Sequence, residues 1–123
     1  MGLYREEETF KIIGICMEVH RNLGPGLLEV VYKDALEIEF KANNFAFERE
    51  KEFSIEYKGI ILPHKFYADF IVNEDIVLEV KAVKEFSGEH TAQVLNYMKL
   101  SESEIGLLVN FQNKSLQHKR LVF

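Results

Sequence analysis

The chain has 123 residues, enough for one compact domain with its own core and too few for two ordinary ones. Its 47% hydrophobic and 28% charged content is that of a soluble globular protein, and no apolar run is long enough to cross a bilayer. A formal net charge of −5 argues against a large basic footprint on nucleic acid, and the single cysteine, Cys16, excludes an internal disulfide and a cysteine-ligated zinc or iron–sulfur centre within one chain.

The first residues, Met1-Gly-Leu-Tyr-Arg-Glu-Glu-Glu8, are polar and acidic and do not resemble a signal peptide, so a cytoplasmic location is expected. Glu6 to Leu23 reads as a helix, with Thr9 or an earlier residue as its cap. Phe10, Ile13, Met17 and His20 recur at helical spacing, and Ile12, Cys16 and Val19 make a second, overlapping stripe. Asn22-Leu-Gly-Pro-Gly26 ends it, because Gly suits a left-handed terminal position and Pro cannot continue a helix. A second helix is predicted over Gly26 to Ala42, with Leu28, Val31, Ala35, Ile38 and Ala42 along one side and Leu36 and Phe40 widening it.

From Phe45 the apolar period shortens to that of a strand. Phe53, Ile55 and Tyr57 alternate with polar residues up to the turn signal Lys58-Gly59, and Ile60 to Leu62 reads as a short return strand closed by Pro63. Lys65 to Val83 then forms two β-rich runs joined at Asn73-Glu74-Asp75, a hairpin signal. With those three residues as the loop, Val72 pairs with Ile76 and Asp69 falls opposite Glu79. Asp69, Glu79 and Lys81 then share one face, and Ala68, Phe70, Val72, Ile76, Leu78, Val80 and Ala82 occupy the other. Ser87-Gly88 is a break, Thr91 to Leu100 a third helix, Glu104 to Asn110 a buried strand and Leu116 to Phe123 an edge strand. This order predicts one α/β domain around a mixed sheet.

Two carboxylates and an ammonium on one face suggest a metal site, since Mg²⁺ takes hard oxygen ligands and keeps several waters. The same residues also read as a cross-strand charge cluster on a solvated face. Ile71 and Val77 share that face, which argues that other elements cover it. Gly26, Glu29 and Tyr32 lie three apart, so Glu29 is either a further carboxylate for the site or a first-turn acid complementing the helix dipole. His90 and Gln93 are one turn apart on the third helix, with Tyr97 beyond them. Gln93 suits a water or phosphate contact; both residues equally suit an exposed helix face.

Taken in order, Gly26-x-x-Glu29-x-x-Tyr32, Asp69, Glu79-Val-Lys81 and His90-x-x-Gln93 with Tyr97 resemble the GxxExxY family, a branch of the PD-(D/E)XK nuclease-like superfamily. The likeness runs from about Ile12 to the C-terminus. It implies a restriction-endonuclease-like fold over residues 1–123, with helices flanking a central mixed sheet. It further implies Asp69 and Glu79 as ligands of Mg²⁺ or Mn²⁺, Lys81 serving the attacking water, Glu29 as the first-helix carboxylate and Gln93 completing the site. The superfamily's Pro before the first Asp is replaced by Ala68. The implied function is metal-dependent hydrolysis of DNA or RNA phosphodiesters; the alternative is a non-catalytic nucleic-acid-binding or protein-interaction module that keeps the fold. No membrane association is implied. The acidic surface leaves a homodimer or a protein partner to supply positive charge toward nucleic acid.

Overall fold

The computed structural model describes residues 5–123. Residues 1–4 of the expected 1–123 unit lie outside the described residues. In chain order the elements are α1 (Glu6–Leu23), α2 (Glu29–Ala42), β1 (Phe47–Tyr57), β2 (Ile60–Val72), β3 (Ile76–Lys81), α3 (Gly88–Leu100), β4 (Ile105–Asn110) and β5 (Gln117–Val122). The sheet order is β1-β2-β3-β4-β5, with β3 and β4 parallel and every other neighbouring pair antiparallel.

Two apolar layers sandwich this sheet. On one side α1 and α2 bury Ile12, Cys16, Val19, Tyr32, Leu36 and Phe40 against Phe70, Leu78, Val80 and Leu107. On the other, α3 places Val94, Tyr97 and Met98 on Ile71, Val77 and Leu108. Covered on both faces, β3 reads Ile-Val-Leu-Glu-Val-Lys, nearly all apolar as a central strand should be. Glu79 is the one carboxylate inside it.

The turns follow from residues that tolerate positive φ. Lys58 (φ 50°) and Gly59 (φ 81°) form the β1–β2 turn, and Asn73 (φ 50°) and Glu74 (φ 76°) the β2–β3 turn. The Asn73 N–H donates to the Ala46 carbonyl at 2.8 Å, which fixes the hairpin, and Val72 pairs with Ile76 as expected.

Several expectations are corrected. The second helix begins at Glu29, because Gly24 (φ 69°) and Gly26 (φ 96°) hold the preceding segment outside helical space. The third helix begins at Gly88, one turn before the predicted Thr91. On α1 the stripe Ile12, Cys16 and Val19 is buried as expected, and so are Ile13 and His20 of the other stripe; Phe10 (78% exposed) and Met17 are the exceptions and line an open groove with Ile13, His118 and Arg120. On α2 the core contact comes from Tyr32, Leu36 and Phe40, while Leu28 and Ile38 face outward. The return strand does not stop at Pro63. Leu62, Pro63 and His64 lie opposite Ile55 alone, since Ser54 pairs with Lys65 and Glu56 with Ile61. That bulge removes the need for a ladder N–H at the proline, so β2 continues through it. Ala68 packs in the α3 layer and not with Phe70, beyond the last β2–β3 pair, Phe70 with Leu78.

Gly106 is needed by α3. A Cβ there would meet Met98 Sδ and Val94 Cγ1, each at 2.6 Å. Gly106→Ala is expected to destabilise the fold by about 1–3 kcal/mol, measured as a lower urea midpoint. An unchanged midpoint would mean that α3 does not seat on β4 as described.

Candidate active site

Asp69 and Glu79 face each other where β2 and β3 part. The Asp69 N–H donates to Glu79 Oε2 at 2.7 Å, and the Val80 N–H donates to Asp69 Oδ2 at 2.8 Å. Each carboxylate thus takes up a strand N–H that the ladder no longer satisfies, which fixes its orientation. The arrangement concentrates negative charge in a poor solvent for it. Glu79 is 2% exposed, and burial first, then the neighbouring Asp69 carboxylate, push its pKa up to about 8; the Asp69 N–H, Lys81 and Lys33 oppose the rise.

Two helices supply the surrounding groups. On the α3 side, Lys81 Nζ donates to Gln93 Oε1 at 2.7 Å. Tyr97, one turn beyond Gln93, is buried; desolvation and then Glu79 and Asp69 raise its pKa, against hydrogen bonds from the Tyr67 backbone and Gln93. His90 accepts from the Ser87 N–H through Nδ1 at 3.0 Å and so caps α3. The loop after Lys81 is held by buried Asn110, whose side chain accepts from the Val83 N–H at 3.0 Å and donates to the Val83 carbonyl at 2.7 Å.

On the α2 side, Tyr32 donates to the Gly24 carbonyl at 2.6 Å, accepts from the Leu27 N–H at 3.1 Å and stacks on Phe111 with ring centres 4.4 Å apart. It ties the α1–α2 connection to the core and so places Glu29. Gly26 precedes the helix, so it does not share a helical stripe with Glu29 and Tyr32; a Cβ there would meet nothing within 4 Å, and its positive φ is what requires glycine. Glu29 Oε2 accepts from the Ala82 N–H at 3.2 Å, just past Lys81. Lys33, one turn further along α2, reaches Asp69 Oδ1 at 2.8 Å and also pairs with Glu50. Burial opposes the Lys33 charge, but the hydrogen bonds to Asp69 and Glu50 outweigh it and raise its pKa.

Asp69, Glu79, Lys81 and Gln93 are therefore brought together, and Glu29 stands at the rim on the backbone. Among the described residues no three His, Cys, Asp or Glu side chains form a metal-binding group; the two carboxylates that meet at the strand split are those of Asp69 and Glu79. Lys33 and Glu50 belong to no sequence motif. The available signals were positional: Lys33 is four residues after Glu29, on the same helix face, and Glu50 falls opposite Asp69, between the pairs Arg49–Phe70 and Lys51–Ala68. Glu50 also has a positive φ of 53°, an irregularity in β1 at the site.

A five-stranded mixed sheet flanked by helices, with a carboxylate hairpin at the strand split, defines a nuclease-like α/β domain. The family model described as the PD-(D/E)XK nuclease superfamily matches residues 6–121, and the chain belongs to that superfamily. Three chains of known structure are similar. One, described as "Crystal structure of SSO0001", is 27% identical with a TM-score of 0.59 over 75% of this chain; the chain spans about half (48%) of that protein. No curated protein matches. Among the described residues no helix is long and apolar enough to cross a membrane.

Members of this superfamily typically use divalent metals, and the residues present fit one. Two hard carboxylates are already held in place, one of them disfavoured as an anion by burial and its neighbour, and a divalent cation held by them would offset that charge.

Proposed function

We propose that this chain is a metal-dependent nuclease of the GxxExxY branch, hydrolysing phosphodiester bonds of DNA or RNA, with residues 1–123 acting as one unit. The observation that carries this reading is the mutual anchoring of Asp69 and Glu79 at the split between β2 and β3. Asp69 and Glu79 hold Mg²⁺ or Mn²⁺, which when bound polarises a phosphate oxygen and lowers the pKa of water. Lys81 receives or directs the proton of the attacking water, or offsets charge on the pentavalent phosphorus, and Gln93 holds its Nζ at 2.7 Å in the orientation that this requires. Glu29 accepts from the Ala82 N–H and thereby fixes the chain immediately after Lys81. The formal charge of −5 is unfavourable for approach to a polyanion, so a second copy or a basic partner protein contributes the attractive surface. A nucleic-acid substrate agrees with the expected cytoplasmic location.

A second reading, a binding module that retains the fold without catalysis, draws on Lys33, which already balances Asp69. Calorimetric titration with Mn²⁺, with and without an oligonucleotide, separates the two. The nuclease reading expects binding that Asp69→Asn abolishes. Absence of binding under both conditions would leave only the second.

A further inference from the structure

Resting on the metal reading above, we infer that Lys33 is a built-in counter-cation that competes with the metal for Asp69, and that Glu50 is the partner to which it withdraws when the metal binds. Asp69 Oδ2 accepts from the Val80 N–H, and Lys33 Nζ lies on the other oxygen, Oδ1, at 2.8 Å, where it offsets the negative charge that a metal would draw on. The Lys33 and Asp69 side chains are only 12% and 15% exposed, so their pairing is shielded from solvent. An ammonium and a divalent ion repel one another at such short range, so each weakens the other's hold on the same carboxylate. Lys33 is also paired with Glu50, which is more exposed (49%) and stands opposite Asp69 across the β1–β2 ladder. Withdrawal therefore takes a small rotation of the lysine stem and leaves no charge unpaired. In the metal-free protein Lys33 offsets the repulsion between Asp69 and Glu79; in the loaded protein it stays beside the site on Glu50. Metal affinity is set by the exchange of Lys33 between two carboxylates as well as by the ligands themselves.

An ion pair that serves stability alone makes a different prediction, and Mn²⁺ affinity distinguishes the two. The experiment is calorimetric Mn²⁺ titration of the full chain, at fixed pH and ionic strength, for wild type, Lys33→Gln, Lys33→Arg, Glu50→Gln and the Lys33→Gln/Glu50→Gln pair, each checked for folding by circular dichroism. Lys33→Gln is expected to bind about tenfold more tightly, and Glu50→Gln about fivefold more weakly because Lys33 is then confined to Asp69. In the Lys33→Gln background, loss of Glu50 is expected to cost less than about twofold. Lys33→Arg keeps the charge and is expected to bind no more tightly than wild type. If wild type binds Mn²⁺ and a folded Lys33→Gln binds equally or more weakly, the competition is refuted while the metal reading stands. Equal losses from Glu50→Gln in both backgrounds would refute the withdrawal to Glu50. If no protein in the set binds Mn²⁺, the metal reading itself fails, and the inference with it.

Discussion

Lys81→Met is expected to lower the rate of phosphodiester cleavage by about 10²–10⁴-fold, the range for removal of a positioned proton-transfer or charge-stabilising group, while the chain still binds Mn²⁺. The split between rate and binding follows from geometry. Lys81 lies two residues from Glu79 on the same strand, but its Nζ is turned toward Gln93 Oε1 at 2.7 Å and donates to neither carboxylate. Methionine keeps the length and apolar stem of the side chain, so the strand should stay seated. Lys81→Arg should not restore the rate if proton transfer is the role, because a guanidinium does not give up its proton. Gln93→Ala should cost less, about tenfold, since Gln93 acts by positioning Lys81. Single-turnover cleavage and Mn²⁺ calorimetry on the same preparations check this; a parallel loss of binding and rate would assign Lys81 to metal binding instead.

Glu79→Gln is expected to abolish cleavage and to make the metal-free protein more stable at pH 8–9, by about 1–3 kcal/mol. Burial and then Asp69 push the folded-state pKa of Glu79 up to about 8 from an ordinary value of 4.5. Between those pH values the folded chain holds a proton that the unfolded chain has released, so stability falls as pH rises through the window. Above it the folded state carries the whole penalty of a buried anion beside another. Glutamine resembles the protonated form: its carbonyl can still accept from the Asp69 N–H, and its amide can donate to the Asp69 carboxylate. The gain should therefore shrink toward zero as pH falls to about 4.5. Saturating Mn²⁺ should narrow the gap at high pH by stabilising wild type alone. Urea titrations at several pH values test this. A variant less stable than wild type at pH 8, or a difference independent of pH, would contradict the assigned electrostatics.

The parts of this site visible in the sequence are those set by short-range geometry. Asn73-Glu74 adopt the positive φ values of a tight turn, so the pairing of Val72 with Ile76, and with it the approach of Asp69 to Glu79, could be counted along the chain. α1 also spans the residues its periodicity indicated, because Gly24 and Pro25 stop it. Its Ile12, Cys16 and Val19 stripe is buried as the spacing indicated, but the exposure of Phe10 and Met17 was not legible, since apolar residues surround the helix and only the sheet decides which of them stay out. The course of β2 through Pro63 depends on a bulge opposite Ile55, which no local pattern announces. Lys33 is the clearest omission. It meets Asp69 across 36 residues and Glu50 across 17, and such pairings appear only once α2 is laid over the β1–β2 ladder.

The Asp69–Glu79 pair stands as a metal-dependent catalytic centre or falls on one assay. The 123-residue chain is incubated with single- and double-stranded DNA and RNA in Mg²⁺ or Mn²⁺, alongside separately purified Asp69→Ala and Lys81→Ala. Cleavage of at least one substrate is expected, stopped by chelation and lost in both variants. Cutting by the variants at the wild-type rate, or no cleavage of any substrate by a protein saturated with Mn²⁺, would contradict this assignment.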